Sequence, residues 1–98
     1  ANPLGLVGQE LDANDRRQAG LEPGEGVGIA RVDGLAAREA GLEPGSIVLR
    51  VGNEKVGSVA ALDKALAGVK PGQTVMLLVR RGNSTRFFAV TPRADDAE

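Results

Sequence analysis

A phrase that recurs three times dictates most of what this chain can fold into: Ala19-Gly20-Leu21-Glu22-Pro23-Gly24, Ala40-Gly41-Leu42-Glu43-Pro44-Gly45 and Ala67-Gly68-Val69-Lys70-Pro71-Gly72. Glycine just past a helix adopts the left-handed backbone that ends it. The next apolar residue folds back onto the last turn, and Pro-Gly redirects the chain. The copies are unequally spaced, which excludes a solenoid repeat. Each copy therefore predicts a helix in front of it and a strand behind it. The first helix, residues 13–19, is capped by Asp12, with Asp15 near the positive end of its dipole. A second, residues 35–40, follows the Asp33-Gly34 turn. Ser58 caps the longest, residues 59–67, on which Val59, Leu62 and Leu66 form one apolar stripe. Apolar or alternating runs predict strands over 4–11, 27–32, 47–51, 74–80 and 85–90, a small bridge at Lys55-Val56, and a hairpin turn at Arg81-Gly82-Asn83-Ser84. Connections this short imply an α+β domain with a bent, mostly antiparallel sheet.

Composition narrows the chemistry. Ninety-eight residues suffice for one domain with a modest core, and only Phe87 and Phe88 are aromatic, so that core is aliphatic. A formal charge of −1 gives no bias toward nucleic acid or an anionic membrane. No cysteine means no disulfide and no thiolate metal site; no histidine removes the commonest general base and metal ligand, and with it any Ser-His-Asp triad. No apolar run approaches the roughly 20 residues a membrane helix requires. Neither a metal nor a cofactor is expected, and no catalytic residue is assigned. Gly24-Glu25-Gly26-Val27-Gly28 resembles a phosphate loop only superficially, because a β-rich run follows it where a dinucleotide site needs a long helix. Glu10, Asp12, Asp15, Glu22 and Glu25 lack the spacing of a metal loop and read as solvated surface. The abrupt start at Ala1-Asn2-Pro3 and the polar tail over 93–98 read as cut points in a longer chain, with the ordered part expected over about 4–91.

The informative stretch is Pro3-Leu4-Gly5-Leu6-Val7-Gly8. A tight apolar-Gly-apolar turn can aim successive backbone N–H groups into one cavity, a nest suited to a carboxylate. The strand leaving it then offers an edge to a guest strand if a helix flanks that edge. The helix after Ser58 is available, and its small residues Ala61 and Ala65 are expected to keep a groove open beside the apolar stripe.

Taken together these residues resemble a PDZ domain of the bacterial HtrA/Do serine protease type. Pro3-Leu4-Gly5-Leu6 resembles the carboxylate-binding signature, and the run from Asp33 through Val48 resembles the family's Gly-x-Ala-Ala-x-x-Ala-Gly-Leu-x-x-Gly-Asp-x-Ile stretch. Ser46 replaces the usual aspartate, and Leu35-Ala36 alter the start. Val51-Gly52-Asn53-Glu54-Lys55-Val56 resembles the Val-Asn-Gly turn with its middle residues exchanged, and Arg80-Arg81-Gly82-Asn83 resembles the closing hairpin. The likeness runs from Leu4 to Val90 and has the circularly permuted bacterial order. The insert between Leu11 and Gly28 is most similar to that of the second, C-terminal PDZ domain of such proteases.

The resemblance implies a small bent antiparallel sheet flanked by two or three short helices, forming one PDZ-like domain over 1–98. It implies that the amides of Leu4, Gly5 and Leu6 hold a peptide carboxylate. Leu4, Leu6, Leu62 and Leu66 would then surround the last side chain, and the groove would run along Val7, Gly8 and Gln9 against Ala61, Leu62, Ala65 and Leu66. The histidine that reads a hydroxyl residue in one eukaryotic class falls at Ala61, so that preference is not implied. Implied partners are C-terminal or unfolded polypeptide segments and other domains or subunits of a parent protease, in the periplasm. Nucleic-acid binding and membrane insertion are not expected. The alternative implied role is an inter-domain or oligomer-assembly contact with little peptide binding.

Overall fold

The computed structural model describes residues 4–22, 24–82 and 84–92. Six strands and three helices follow one another as β1 (Leu6–Gln9), α1 (Ala13–Gln18), β2 (Val27–Val32), α2 (Leu35–Glu39), β3 (Ile47–Val51), β4 (Glu54–Lys55), α3 (Val59–Ala67), β5 (Val75–Arg81) and β6 (Ser84–Val90). All pairings are antiparallel, in the order β1-β2-β3-β5-β6, with β4 attached to β3. This is the α+β, PDZ-like arrangement expected from the sequence.

The recurrent phrase works as proposed in its first two copies. Gly20 and Gly41 take φ of 74° and 99°, and the amides of Leu21 and Leu42 reach back to the carbonyls of Arg16 and Ala37 at 2.8 and 3.1 Å. Those bonds span a full terminal turn and close α1 and α2. The third copy differs. Gly68 stays right-handed at φ −84°, because Val69 N–H donates only three residues back, to Leu66 O at 3.0 Å, which tightens the last turn of α3. The redirection falls to Gly72, at φ 84°. Both predicted caps are present: Asp12 accepts from Asp15 N at 2.7 Å and Ser58 from Ala61 N at 3.1 Å.

Several strand boundaries move, and the hairpin strands expected over 74–80 and 85–90 run over Val75–Arg81 and Ser84–Val90. The run expected over 4–11 shortens to Leu6–Gln9, because Gly5 at φ 67° turns the chain into it. The bridge expected at Lys55-Val56 forms instead at Glu54–Lys55, since the Gly52-Asn53 turn sets Val51 opposite Glu54. Val56 is left buried, its N–H donating to Leu49 O at 3.2 Å. The β5–β6 hairpin keeps an unbroken register from Val75↔Val90 to Arg81↔Ser84. The tail over 93–98 lies outside the described residues.

One aliphatic core joins these elements: Leu4 just before β1, Leu6 from β1, Val27, Ile29 and Val32 from β2, Val48 and Val51 from β3, Leu62 and Leu66 from α3, and Leu77, Val79 and Val90 from the hairpin. Helix α1 buries none of its own side chains. It is tied down by Arg16, whose guanidinium donates to the carbonyl oxygens of Glu25 at 3.0 Å and Gly57 at 2.9 Å. Among the described residues, no helix is long and apolar enough to cross a membrane.

Candidate functional site

Strand β1 lies at the end of the sheet path and is paired with a strand on one side only, by β2. The pairing slips between Val7 and Gly8, which adds local twist to this edge. Alternation sends Leu6 and Gly8 inward and Val7 and Gln9 outward; Leu6 is 3% exposed and Val7 38%.

At the start of β1 the backbone geometry is forced by two glycines. Gly5 has φ of 67°, and a Cβ there would run into the backbone of Gly34; a Cβ on Gly34 would in turn run into the carbonyl of Leu4. The two turns are thus packed backbone to backbone and fastened by Asp33 N–H donating to Gly5 O at 2.7 Å. Neither position accepts a side chain without moving main chain. No described residue accepts a hydrogen bond from the amides of Leu4 or Gly5.

Helix α3 forms the second wall. A Cβ built on Gly8 would stand 3.2 Å from Leu62 Cδ2 and 3.3 Å from Val59 Cγ2 and Val27 Cγ1. The absence of a side chain at Gly8 therefore lets α3 approach the strand closely. Beyond Gly8 the alternation reaches Glu10, whose Oε1 accepts from Val59 N–H at 2.7 Å. That bond joins the end of the edge strand to the first residue of the helix, so Glu10 and Ser58 together satisfy two of the helix's terminal amides.

The structure thus sets Gly8 against Leu62 and places Leu4, Leu6, Leu62 and Leu66 in one core, with Val7 and Gln9 on the exposed face of β1. Leu4, Leu6, Leu62 and Leu66 all belong to the core and are 1%, 3%, 0% and 0% exposed. A ligand side chain entering among them must part existing packing. Ala61 and Ala65 stand elsewhere. They line a depression with Val51, Val56, Val69 and Val75, on the flank of α3 away from Val59. The 100° step per residue sets positions 61 and 65 to one side of the stripe of Val59, Leu62 and Leu66, with Ala65 three residues on from Leu62.

Glu10 was not singled out by sequence reasoning, which grouped it with solvated acids. The signal available was its phase, two residues beyond Gly8 and four beyond Leu6, on the face that meets the helix. Arg16 was missed as well; nothing local marks an arginine whose acceptors lie 9 and 41 residues away.

The pattern of the PDZ domain family matches residues 5–91. The chain belongs to the PDZ domain family. Comparison with curated protein sequences gave no match. Among solved structures, the HtrA-type protease AlgWS227A with a decapeptide superimposes with a TM-score of 0.83 at 24% identity, over 92% of this chain and 28% of that one. The serine endoprotease from Yersinia pestis gives 0.68 at 27% identity, over 92% of this chain and 28% of that one. The HtrA3 PDZ domain bound to a phage-derived ligand, FGRWV, gives 0.72 at 21% identity, over 92% of this chain and 83% of that one. The fold is therefore that of the PDZ domains of HtrA-type proteases, and the chain spans 28% of the two full protease chains it matches.

Proposed function

We propose that this PDZ domain captures the free carboxyl end of an extended polypeptide by adding it as a strand to β1, beneath α3. The observation that carries the reading is an edge strand with one partner, entered through the Gly5–Gly34 turn and overhung by a helix seated on Gly8. Backbone pairing would supply affinity and alternate side chains specificity. The amides of Leu4, Gly5 and Leu6 would hold the carboxylate, and Leu62 and Leu66 would move apart to admit the last side chain. The peptides in the AlgW and HtrA3 structures support a ligand of this class. A short tail must be ordered, and core packing must open, so the affinity is modest, about −6 to −8 kcal/mol. In its parent the domain would present substrate or regulatory tails to a periplasmic serine protease while contributing no catalytic group itself.

The decisive experiment is isothermal titration with matched peptides ending in a free acid or an amide. A carboxylate in a nest of amides accepts charge-assisted bonds. Amidation is expected to cost about 1.5–3 kcal/mol, tenfold or more in affinity. Equal affinities would remove terminal recognition and leave internal-strand binding.

A second reading, a contact module within the parent assembly, rests on the outer face of the hairpin. There Phe87 is 63% and Met76 42% exposed, next to Leu78 and Ala89 by register. Such a face suits burial against another protein surface, and the two roles are compatible.

A further inference from the structure

We propose that Glu10 is a specificity-determining residue of the peptide groove, selecting a basic side chain at the fifth residue from the ligand's carboxyl end. The inference rests on the groove reading above.

With the ligand's carboxylate at the Leu4–Leu6 turn and its chain antiparallel to β1, its last residue stands beside Leu6. Its third-from-last residue stands beside Gly8, and its fifth-from-last beside Glu10. Residues opposite one another in an antiparallel pair project to the same face, with Cβ atoms roughly 4.5–5.5 Å apart. The face in question is the one toward α3, because Glu10 continues the inward phase of Leu6 and Gly8 and reaches Val59 N–H at 2.7 Å. That bond occupies Oε1. It fixes the carboxylate in place, and among the described residues no partner holds Oε2. A pre-positioned carboxylate with one oxygen to spare, at the open end of a groove, suits an ammonium or guanidinium.

Neighbouring charges do not cancel it. Arg16 directs its guanidinium at the carbonyls of Glu25 and Gly57. Arg31 and Asp33, on and just past the adjoining strand, are paired with each other at 2.8 Å. Glutamate thus serves two purposes: one oxygen holds the helix against the strand, and the other reads the ligand.

The test uses three N-capped hexapeptides ending in valine with a free carboxylate, differing only in lysine, alanine or glutamate at the fifth-from-last position. Each is titrated into the wild-type chain, Glu10→Gln and Glu10→Lys. The wild type is expected to favour lysine over alanine by about two- to fivefold, and to disfavour glutamate. Glu10→Gln keeps an acceptor for Val59 N–H but should flatten the ratio of lysine to glutamate affinity toward one. Glu10→Lys should invert it. A merely structural role for Glu10 would shift all three affinities together and leave their ratio alone. Equal binding of the three peptides by the wild type, or a lysine preference that survives in Glu10→Gln, would overturn the inference while leaving the groove intact. A wild-type chain that binds none of the free-acid peptides would remove the groove reading, and this inference with it.

Discussion

On the flank of α3 that faces β1, Val59 and Leu62 press against Gly8; on the flank that faces β4, Ala61 and Ala65 stand back from Val51, Val56, Val69 and Val75 and leave a depression. The first flank has large helix residues over a strand with no side chain. The second has small helix residues over branched neighbours. The first flank borders β1, the strand at the end of the sheet path; the second borders β4, which also has a single strand neighbour but is only two residues long. A small residue on a helix is therefore not in itself a groove. What matters is which strand it faces, and how long an edge that strand offers.

Five substitutions test this contrast. Leu62→Ala and Leu66→Ala, both wholly buried, should each cost about 2–5 kcal/mol in denaturant melts; a loss under 1 kcal/mol would show that the seam tolerates a void. Gly8→Val crowds the close flank, where contacts already lie at 3.2–3.3 Å, and should cost about 1–3 kcal/mol and widen the groove. Unaltered melting together with unaltered peptide affinity would show that α3 is not seated on the strand. Gly5→Ala loses about 1–2 kcal/mol from left-handed backbone alone, and the fixed Gly34 main chain ensures that binding weakens with it. Full peptide affinity in that variant would separate the turn from the site. Ala65→Phe, on the far flank, should leave peptide affinity within about twofold of wild type. A tenfold loss would return Ala65 to the groove and merge the two flanks into one site.

Much of this was legible in the chain before any coordinates. Strands 27–32 and 47–51 and helix 59–67 coincide with their predicted limits, because glycine, Pro-Gly and a capping serine mark each boundary locally. The turn at Gly5 was visible for the same reason: a glycine between two leucines announces a backbone constraint. The side of α3 that meets the edge strand was not so plain. The stripe of Val59, Leu62 and Leu66 identifies the buried face, but the choice between its two borders depends on where β1 arrives, a fact about topology rather than helix pattern. Gly68 shows a similar limit, since the same six-residue phrase closes α1 and α2 with left-handed glycine and α3 without it. The roles of Glu10 and Arg16 depend on partners far away in sequence, which no local rule supplies.

The bond from Glu10 to Val59 also carries information about the order of assembly. Its two ends are separated by 49 residues, and closing a loop of that length costs roughly 3–4 kcal/mol of chain entropy before any contact repays it. Strand β1 meets β2 across a much shorter connection, Gln9 standing opposite Gly28. During synthesis from the amino end, the Gly5 turn and β1 therefore leave the ribosome well before α3. Until α3 arrives the nascent domain presents a naked sheet edge, the form in which it is most exposed to pairing with the wrong strand. Helix α3 is thus the element whose arrival ends that interval.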